Sequence, residues 1–135
     1  MRPFTHPYNK ERVKQRLIEK YKRFGSIVIG YDFDHTIFNY DNEEGDFSCV
    51  IDLLKECSNM GNIMVLYTAE PDREKLQWKI EHCHKLGIKV DYVNESPFFK
   101  GTAKPYFNIL LDDTAGLEEA YNILAETIEE VKQWK

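Results

Sequence analysis

The feature that most constrains the fold is a short apolar run that ends abruptly in two carboxylates. Residues 27–31 read Ile-Val-Ile-Gly-Tyr, and Asp32 and Asp34 follow one residue apart. An apolar run of this length, rich in β-branched residues, predicts a buried strand of a parallel sheet. Carboxylates at the end of such a strand are costly without a partner, and a hard cation such as Mg²⁺ is a suitable one. Because open α/β sheets bind ligands beyond the carboxyl ends of their strands, the run predicts a metal-assisted site.

Three further apolar runs alternate with amphipathic segments along the chain. We expect four strands, at about 26–32, 63–68, 88–93 and 108–113. We expect helices at 9–24, at 46–60, from Pro71 to just before Gly87, and at 116–134. This alternation predicts an α/β fold, with a parallel sheet of about four strands, right-handed crossovers and helices on both faces. The polar, turn-rich residues 37–46 predict a small hairpin or flap over the first strand end.

The chain length of 135 residues predicts one domain, 1–135, in which residues 1–25 contribute a basic amphipathic helix packed on the core. Residues 1–24 carry eight Lys or Arg and two Glu, a net +6, so the remainder carries -11 of the total of -5. A basic helix of this kind can contact nucleic acid or another polyanion, although a solvated helix face is the commoner explanation.

The cysteine content and hydropathy bear on the compartment. The three cysteines, Cys49, Cys57 and Cys83, are odd in number and lack CxxC spacing, which predicts reduced thiols in the cytoplasm. No apolar run approaches the roughly 18 residues that a membrane span requires, and the first residues lack the apolar centre of a signal peptide. We therefore expect no membrane partner.

Two pairs of carboxylates, each at a predicted strand end, suggest chemistry on a phosphate ester. Asp32 can attack phosphorus, and Asp34 can protonate the leaving alkoxide and then take a proton from water. Asp112 and Asp113 follow the fourth apolar run. Asp112 can bind Mg²⁺, while Asp113 is either another ligand or an acceptor behind it; a cap for the following helix is an equal interpretation of Asp113.

Three further residues are suited to hold a phosphoryl group. Thr68 ends the second predicted strand, so its hydroxyl and the backbone N–H of Ala69 can donate hydrogen bonds to phosphoryl oxygens. Lys104 precedes the fourth strand and supplies a positive charge that offsets the carboxylates.

The ordered set resembles the haloacid-dehalogenase (HAD) superfamily of phosphohydrolases. Asp-Phe-Asp-His-Thr after an apolar strand, Thr68, Lys104 and Leu-Leu-Asp-Asp match all four motifs of that family in order, across residues 27–113. The resemblance implies a three-layer Rossmann-like core, Asp32 as nucleophile and Asp34 as acid/base residue. It also implies Mg²⁺ ligands from the Asp32 carboxylate, the Asp34 backbone carbonyl and Asp112. His35 stands where the family commonly has Gly.

The spacing leaves no room for the cap domain that many HAD members carry. Only 26 residues separate Thr36 from Ile63, and 35 separate Thr68 from Lys104. An uncapped site is open, which by analogy admits phosphoproteins, nucleic-acid ends or glycan precursors. A small substrate enclosed by a partner subunit is the other option, so an oligomer is compatible with the sequence.

Three functions are compatible with these residues. The first is a Mg²⁺-dependent phosphatase acting through an aspartyl phosphate on Asp32. The second is a non-enzymatic phosphoacceptor of the receiver type, although receivers place the Lys after their last strand and not before it. The third is a HAD-like binding module without activity. The complete motif set favours the phosphatase.

Overall fold

The computed structural model describes residues 9–42, 44–99, 101, 103 and 105–134. The protein is an α/β fold in which a four-stranded, all-parallel sheet is flanked by four helices, a small Rossmann-like arrangement. The helices are α1 (Lys10–Phe24), α2 (Ser48–Asn59), α3 (Arg73–Lys85) and α4 (Leu117–Lys132). The strands are β1 (Val28–Tyr31), β2 (Ile63–Leu66), β3 (Tyr92–Val93) and β4 (Ile109–Leu111). The predicted α/β class, with a parallel sheet of four strands, is therefore confirmed.

The sheet order is β3-β2-β1-β4, so the strand that carries the first acidic pair lies in the centre. Strand β1 is flanked by β2 on one side and by β4 on the other. The central position explains why all four residues of β1 are buried, as the continuous apolar run predicted.

Local signals in the sequence set the helix ends. Asn9 caps α1 through a hydrogen bond from the Arg12 backbone N–H to its side-chain oxygen, at 3.1 Å. Helix α1 ends at Gly25, whose φ of +78° lies in the left-handed region that glycine adopts readily. Asp72 caps α3, so Pro71 lies just outside the helix. The sequence had predicted that the helix begins at Pro71.

The buried core unites all four helices with one side of the sheet. Helix α1 contributes Leu17 and Tyr21 to it and packs along α4, where Lys14 pairs with Glu126 at 3.2 Å. The fully buried large side chains of this core include Tyr31, Phe33, Leu54, Met64, Leu66, Leu111, Leu124 and Ile128. None of the helices in the described ranges is both long and apolar enough to cross a bilayer.

Gly30 marks a close approach on the opposite side of the sheet. Side chains alternate along a strand, so Gly30 faces away from the core that holds Ile29 and Tyr31. A Cβ at this position would lie 2.8 Å from Cδ1 of Phe107, which covers the sheet here. Phe107 belongs to the connection between β3 and β4, so this connection packs directly on the central strand.

Two predicted elements differ from the structure. The third strand was expected over 88–93, yet only Tyr92 and Val93 form β3. The reason is Asp91, whose carboxylate accepts the Met64 backbone N–H at 2.8 Å in place of a main-chain partner. Of the two forms predicted for residues 37–46, the hairpin is wrong, because the described residues 37–42 and 44–46 form turns and bends. Between β1 and β4 the described residues contain no inserted domain.

Candidate functional site

The pairing of β1 with β4 brings the two acidic pairs side by side. Tyr31 and Leu111 are opposite each other in the ladder. The Asp32 backbone N–H continues that ladder by donating to the Leu111 carbonyl at 2.9 Å. Asp32 and Asp112, each the next residue of its chain segment, therefore emerge together at the carboxyl edge of the sheet.

Three carboxylates converge at this edge. Asp32, Asp112 and Asp113 each offer an oxygen, and these oxygens lie within 4.8 Å of one another. Asp32 and Asp112 are partly buried and Asp113 is exposed. Converging carboxylate oxygens are the donors that Mg²⁺ prefers, so this set fits a hard divalent cation.

The pKa of Asp32 is raised from its ordinary 3.8 to about 6. Burial is the largest cause, and the charges of Asp112 and Asp113 act in the same direction. A hydrogen bond from the Phe33 backbone N–H opposes the shift. The residue predicted as nucleophile therefore lies where its ionised form is disfavoured, as is common in functional sites.

Hydrogen bonds hold the loops that carry the carboxylates. The buried Thr36 hydroxyl accepts the Asp113 backbone N–H at 3.2 Å, which ties the loop after β1 to the loop after β4. Asp112 accepts the Thr114 backbone N–H at 2.9 Å. The cap of α4 is Gly116, with no side-chain cap hydrogen bond, so the interpretation of Asp113 as a helix cap is wrong.

A cavity of about 500 Å³ opens beside the carboxylates. Its lining consists of Asp32, Tyr67, Thr68, Ala69, Asn94, Asp112 and Thr114. The predicted phosphate-binding residues Thr68 and Ala69 therefore share one cavity with Asp32. The Asn94 side chain fixes Thr68 by accepting its backbone N–H at 2.8 Å and donating to its carbonyl at 2.9 Å.

Asp34 does not contribute its carboxylate to the cluster. Its Oδ2 instead accepts a hydrogen bond from Nζ of Lys79, on α3, at 3.3 Å. The same ammonium lies 3.1 Å from a Glu70 oxygen and 3.4 Å from the Thr68 hydroxyl. Metal binding through the Asp34 backbone carbonyl stays a prediction.

Lys79 is the residue of this site that the sequence analysis missed. It is only 7% exposed, which is unusual for a lysine. A signal was available, because position 79 falls on the inward stripe of α3, between Leu76 and Cys83. A lysine on an apolar stripe at helical spacing indicates a buried charge that needs partners.

The remaining predicted positions have separate outcomes. Lys104 lies outside the described residues, so its predicted contact with phosphate stays a prediction. His35 adopts a φ of +63°, in the left-handed region that glycine enters at little cost. The His35 ring does not enter the carboxylate cluster; its Nε2 lies 3.2 Å from an Asp41 oxygen.

A second cavity, of about 550 Å³, lies at the opposite end of the strands. It is lined mainly by apolar and aromatic side chains, including Phe24, Phe98 and Phe99, and Lys20 is the charged residue among its described lining. It lacks the converging acidic and hydroxyl groups of the first cavity, which remains the candidate site.

Comparisons with known proteins bear on the fold. No family model matches the chain, and no curated protein matches it. A solved structure described as that of a conserved protein coded by a locus of Bacteroides thetaiotaomicron is similar, with a TM-score of 0.59 and 22% sequence identity. The similarity covers 78% of this chain and 91% of that one. At this identity the similarity shows the fold alone.

Proposed function

We propose that the protein is a Mg²⁺-dependent phosphatase that hydrolyses a phosphomonoester through an aspartyl phosphate on Asp32. The observation that carries the proposal is the convergence of Asp32, Asp112 and Asp113, with oxygens within 4.8 Å, beside a cavity that also contains Thr68. The motif order that resembles the HAD superfamily supports the same assignment.

The chemistry requires two displacements at phosphorus. In the first, a carboxylate oxygen of Asp32 forms a bond to phosphorus while the ester P–O bond breaks, and Asp34 donates its proton to the departing alkoxide. In the second, water attacks phosphorus as Asp34 takes up one of its protons, and the bond to Asp32 breaks. The products are an alcohol and inorganic phosphate, and both carboxyl groups regain their starting states.

The remaining residues bind and orient. Thr68 and the Ala69 backbone N–H line the cavity and would donate hydrogen bonds to phosphoryl oxygens. Asp32, Asp112 and Asp113 would hold Mg²⁺. When bound, the ion would neutralise the repulsion between the Asp32 carboxylate and the phosphate anion and stabilise charge on the phosphoryl oxygens. A pKa of about 6 leaves Asp32 mostly ionised at neutral pH, as a nucleophile requires.

The proposal is tested by the turnover of an aryl phosphate in the presence of Mg²⁺. Wild-type protein should release phosphate, and Asp32→Asn should reduce kcat by at least about 10³-fold, because the nucleophile is lost. Asp52→Asn, an exposed aspartate on α2, is the matched control and should leave turnover unchanged. Turnover that persists in Asp32→Asn would refute the assigned nucleophile. A phosphorylated protein stable for minutes without turnover would favour the phosphoacceptor alternative.

We propose a substrate that is open to solvent beyond its phosphate, because the described residues provide no cap over the cavity. A macromolecular phosphoester fits this site, and nucleic-acid ends are one class, supported only by the basic helix α1. Activity on phosphorylated oligonucleotides that did not weaken with added salt would exclude α1 as a polyanion contact.

We also propose a cytoplasmic location, supported by three free cysteines, two of which are buried.

A further inference from the structure

We infer that Lys79 is the positioning residue that aims Asp34 at the leaving group, an inference that rests on the proposed function. Nζ of Lys79 lies 3.3 Å from Asp34 Oδ2. Asp34 is the residue whose proton transfer that function requires.

The surroundings of Lys79 fix its ammonium group. Its side chain is 9% exposed, and Nζ lies 5.3 Å from the ring centroid of Phe33, which is itself fully buried. Glu70 Oε1 also lies 3.1 Å from Nζ and balances its charge. A buried lysine held by a carboxylate and an aromatic face has little rotamer freedom, so it can serve as a rigid anchor.

The bond to Oδ2 restricts the Asp34 carboxyl group. A carboxyl group on a surface loop rotates freely about its terminal torsion, because that torsion is broad and roughly two-fold. A charge-assisted hydrogen bond to one oxygen fixes this rotation. The other oxygen, Oδ1, is then the one that delivers the proton to the departing alkoxide.

Lys79 also couples the two loops that build the cavity. Its ammonium lies 3.4 Å from the Thr68 hydroxyl, so one side chain on α3 contacts both the loop after β1 and the loop after β2. The acid/base residue and the phosphate-binding hydroxyl are therefore held at a set separation. Small errors in such a separation reduce catalytic rates strongly.

Dependence on the leaving group separates positioning from other roles. A dinitrophenolate leaves without a proton, whereas an alkoxide needs one from Asp34. The parameter to compare is kcat/KM, because it includes the steps up to departure of the leaving group and excludes hydrolysis of the aspartyl phosphate. Loss of positioning should therefore reduce kcat/KM for an alkyl phosphate and spare dinitrophenyl phosphate.

The variant to test is Lys79→Met, assayed on both esters with Mg²⁺. We expect kcat/KM to fall by about 10-fold or more for the alkyl ester and by less than about threefold for the dinitrophenyl ester. Lys75→Met, an exposed lysine one turn earlier on α3, is the matched control and should alter neither value. Equal losses on both esters, as from a phosphate contact or a loosened fold, would overturn the inference, and so would no loss.

The Asp34→Asn variant provides an independent test of the same inference. In Asp34→Asn the proton donor is absent, so adding Lys79→Met should not change the ratio between the two esters further. A further change in that ratio would show that Lys79 acts other than through Asp34. If Lys79→Met does not fold, Lys79→Met combined with Glu70→Gln removes the charge together with its counter-charge, and the same two ratios decide.

Failure of the proposed function gives a different result. In that case the wild-type protein hydrolyses neither ester. If the wild type is active but Lys79→Met changes kcat/KM equally for both esters, the phosphatase assignment stands and the inferred role of Lys79 is wrong.

Discussion

Replacing the proposed nucleophile should stabilise the protein while it abolishes turnover. In the folded state the pKa of Asp32 is raised from 3.8 to about 6 by burial and by Asp112 and Asp113, so folding disfavours its ionised form. At roughly 1.4 kcal/mol per pKa unit this displacement corresponds to about 3 kcal/mol. Because Asp32 is partly exposed to solvent, we expect about 1–2 kcal/mol of it in practice. Asp32→Asn removes this penalty with little change of shape.

The stability gained through Asp32→Asn depends on pH in a defined direction. Above pH 6 Asp32 is ionised in both the folded and the unfolded chain, so the wild type bears the full penalty. As the pH falls from about 6 towards 4, the folded state takes up a proton before the unfolded state does, and the penalty disappears. The advantage of Asp32→Asn should therefore be largest at neutral pH and vanish near pH 4.

Urea unfolding in EDTA, at neutral pH and at a pH near 4, measures this difference. A gain of about 1–2 kcal/mol in the free energy of unfolding at neutral pH would also appear in a thermal melt, as a rise in Tm of about 3–8 °C for a chain of this length. Added Mg²⁺ should narrow the gap, since it stabilises the state that binds it and Asp32→Asn lacks one ligand. Asp52→Asn should show no such dependence on pH. A variant less stable than wild type at neutral pH, or a difference that ignores pH, would refute the electrostatic explanation.

Two further substitutions probe the frame of the site. Gly30→Ala should lower the free energy of unfolding by about 1–3 kcal/mol, because its Cβ would lie 2.8 Å from the Phe107 ring. Urea unfolding checks this, and adding Phe107→Leu should recover part of the loss if the clash is its cause. Asn94→Gly keeps the backbone φ of +54° accessible but removes both hydrogen bonds to the Thr68 backbone. It should raise KM for a phosphate ester several-fold, measured by steady-state kinetics, and an unchanged KM would exclude Asn94 as a support of the phosphate site.

The sequence predicted the parts of the fold that depend on local pattern. The apolar run before Asp32 predicted the central strand, because only a strand buried on both faces is apolar at successive positions. The order of strands and helices then required parallel pairing, which predicted that Asp32 and Asp112 would meet at one edge. The short β3 was not predictable, because the Asp91 side chain takes a main-chain donor that a pattern of apolar residues does not reveal.

The surroundings of Asp34 were beyond the reach of motif spacing. Only one residue separates Asp32 from Asp34, so spacing alone predicted that both carboxylates belong to one metal-assisted site. The structure separates them, since Asp34 pairs with Lys79 from a helix that follows a different strand. Which face of α3 meets the loop after β1 is decided by packing over the whole core. A lysine is normally solvent-exposed, so the sequence did not lead us to expect a buried Lys79.

The hydrogen bonds from Asp113 to Thr36 and from Asp32 to Leu111 affect how the protein depends on its ion. They connect the edge of the sheet through uncharged backbone and hydroxyl groups, so its shape does not require a bound ion. Small domains that fold only around their metal are lost when a chelator strips it. Under the proposed function, the chain should keep its fold as Mg²⁺ leaves and binds again, so the supply of the ion would control turnover and not whether the chain folds.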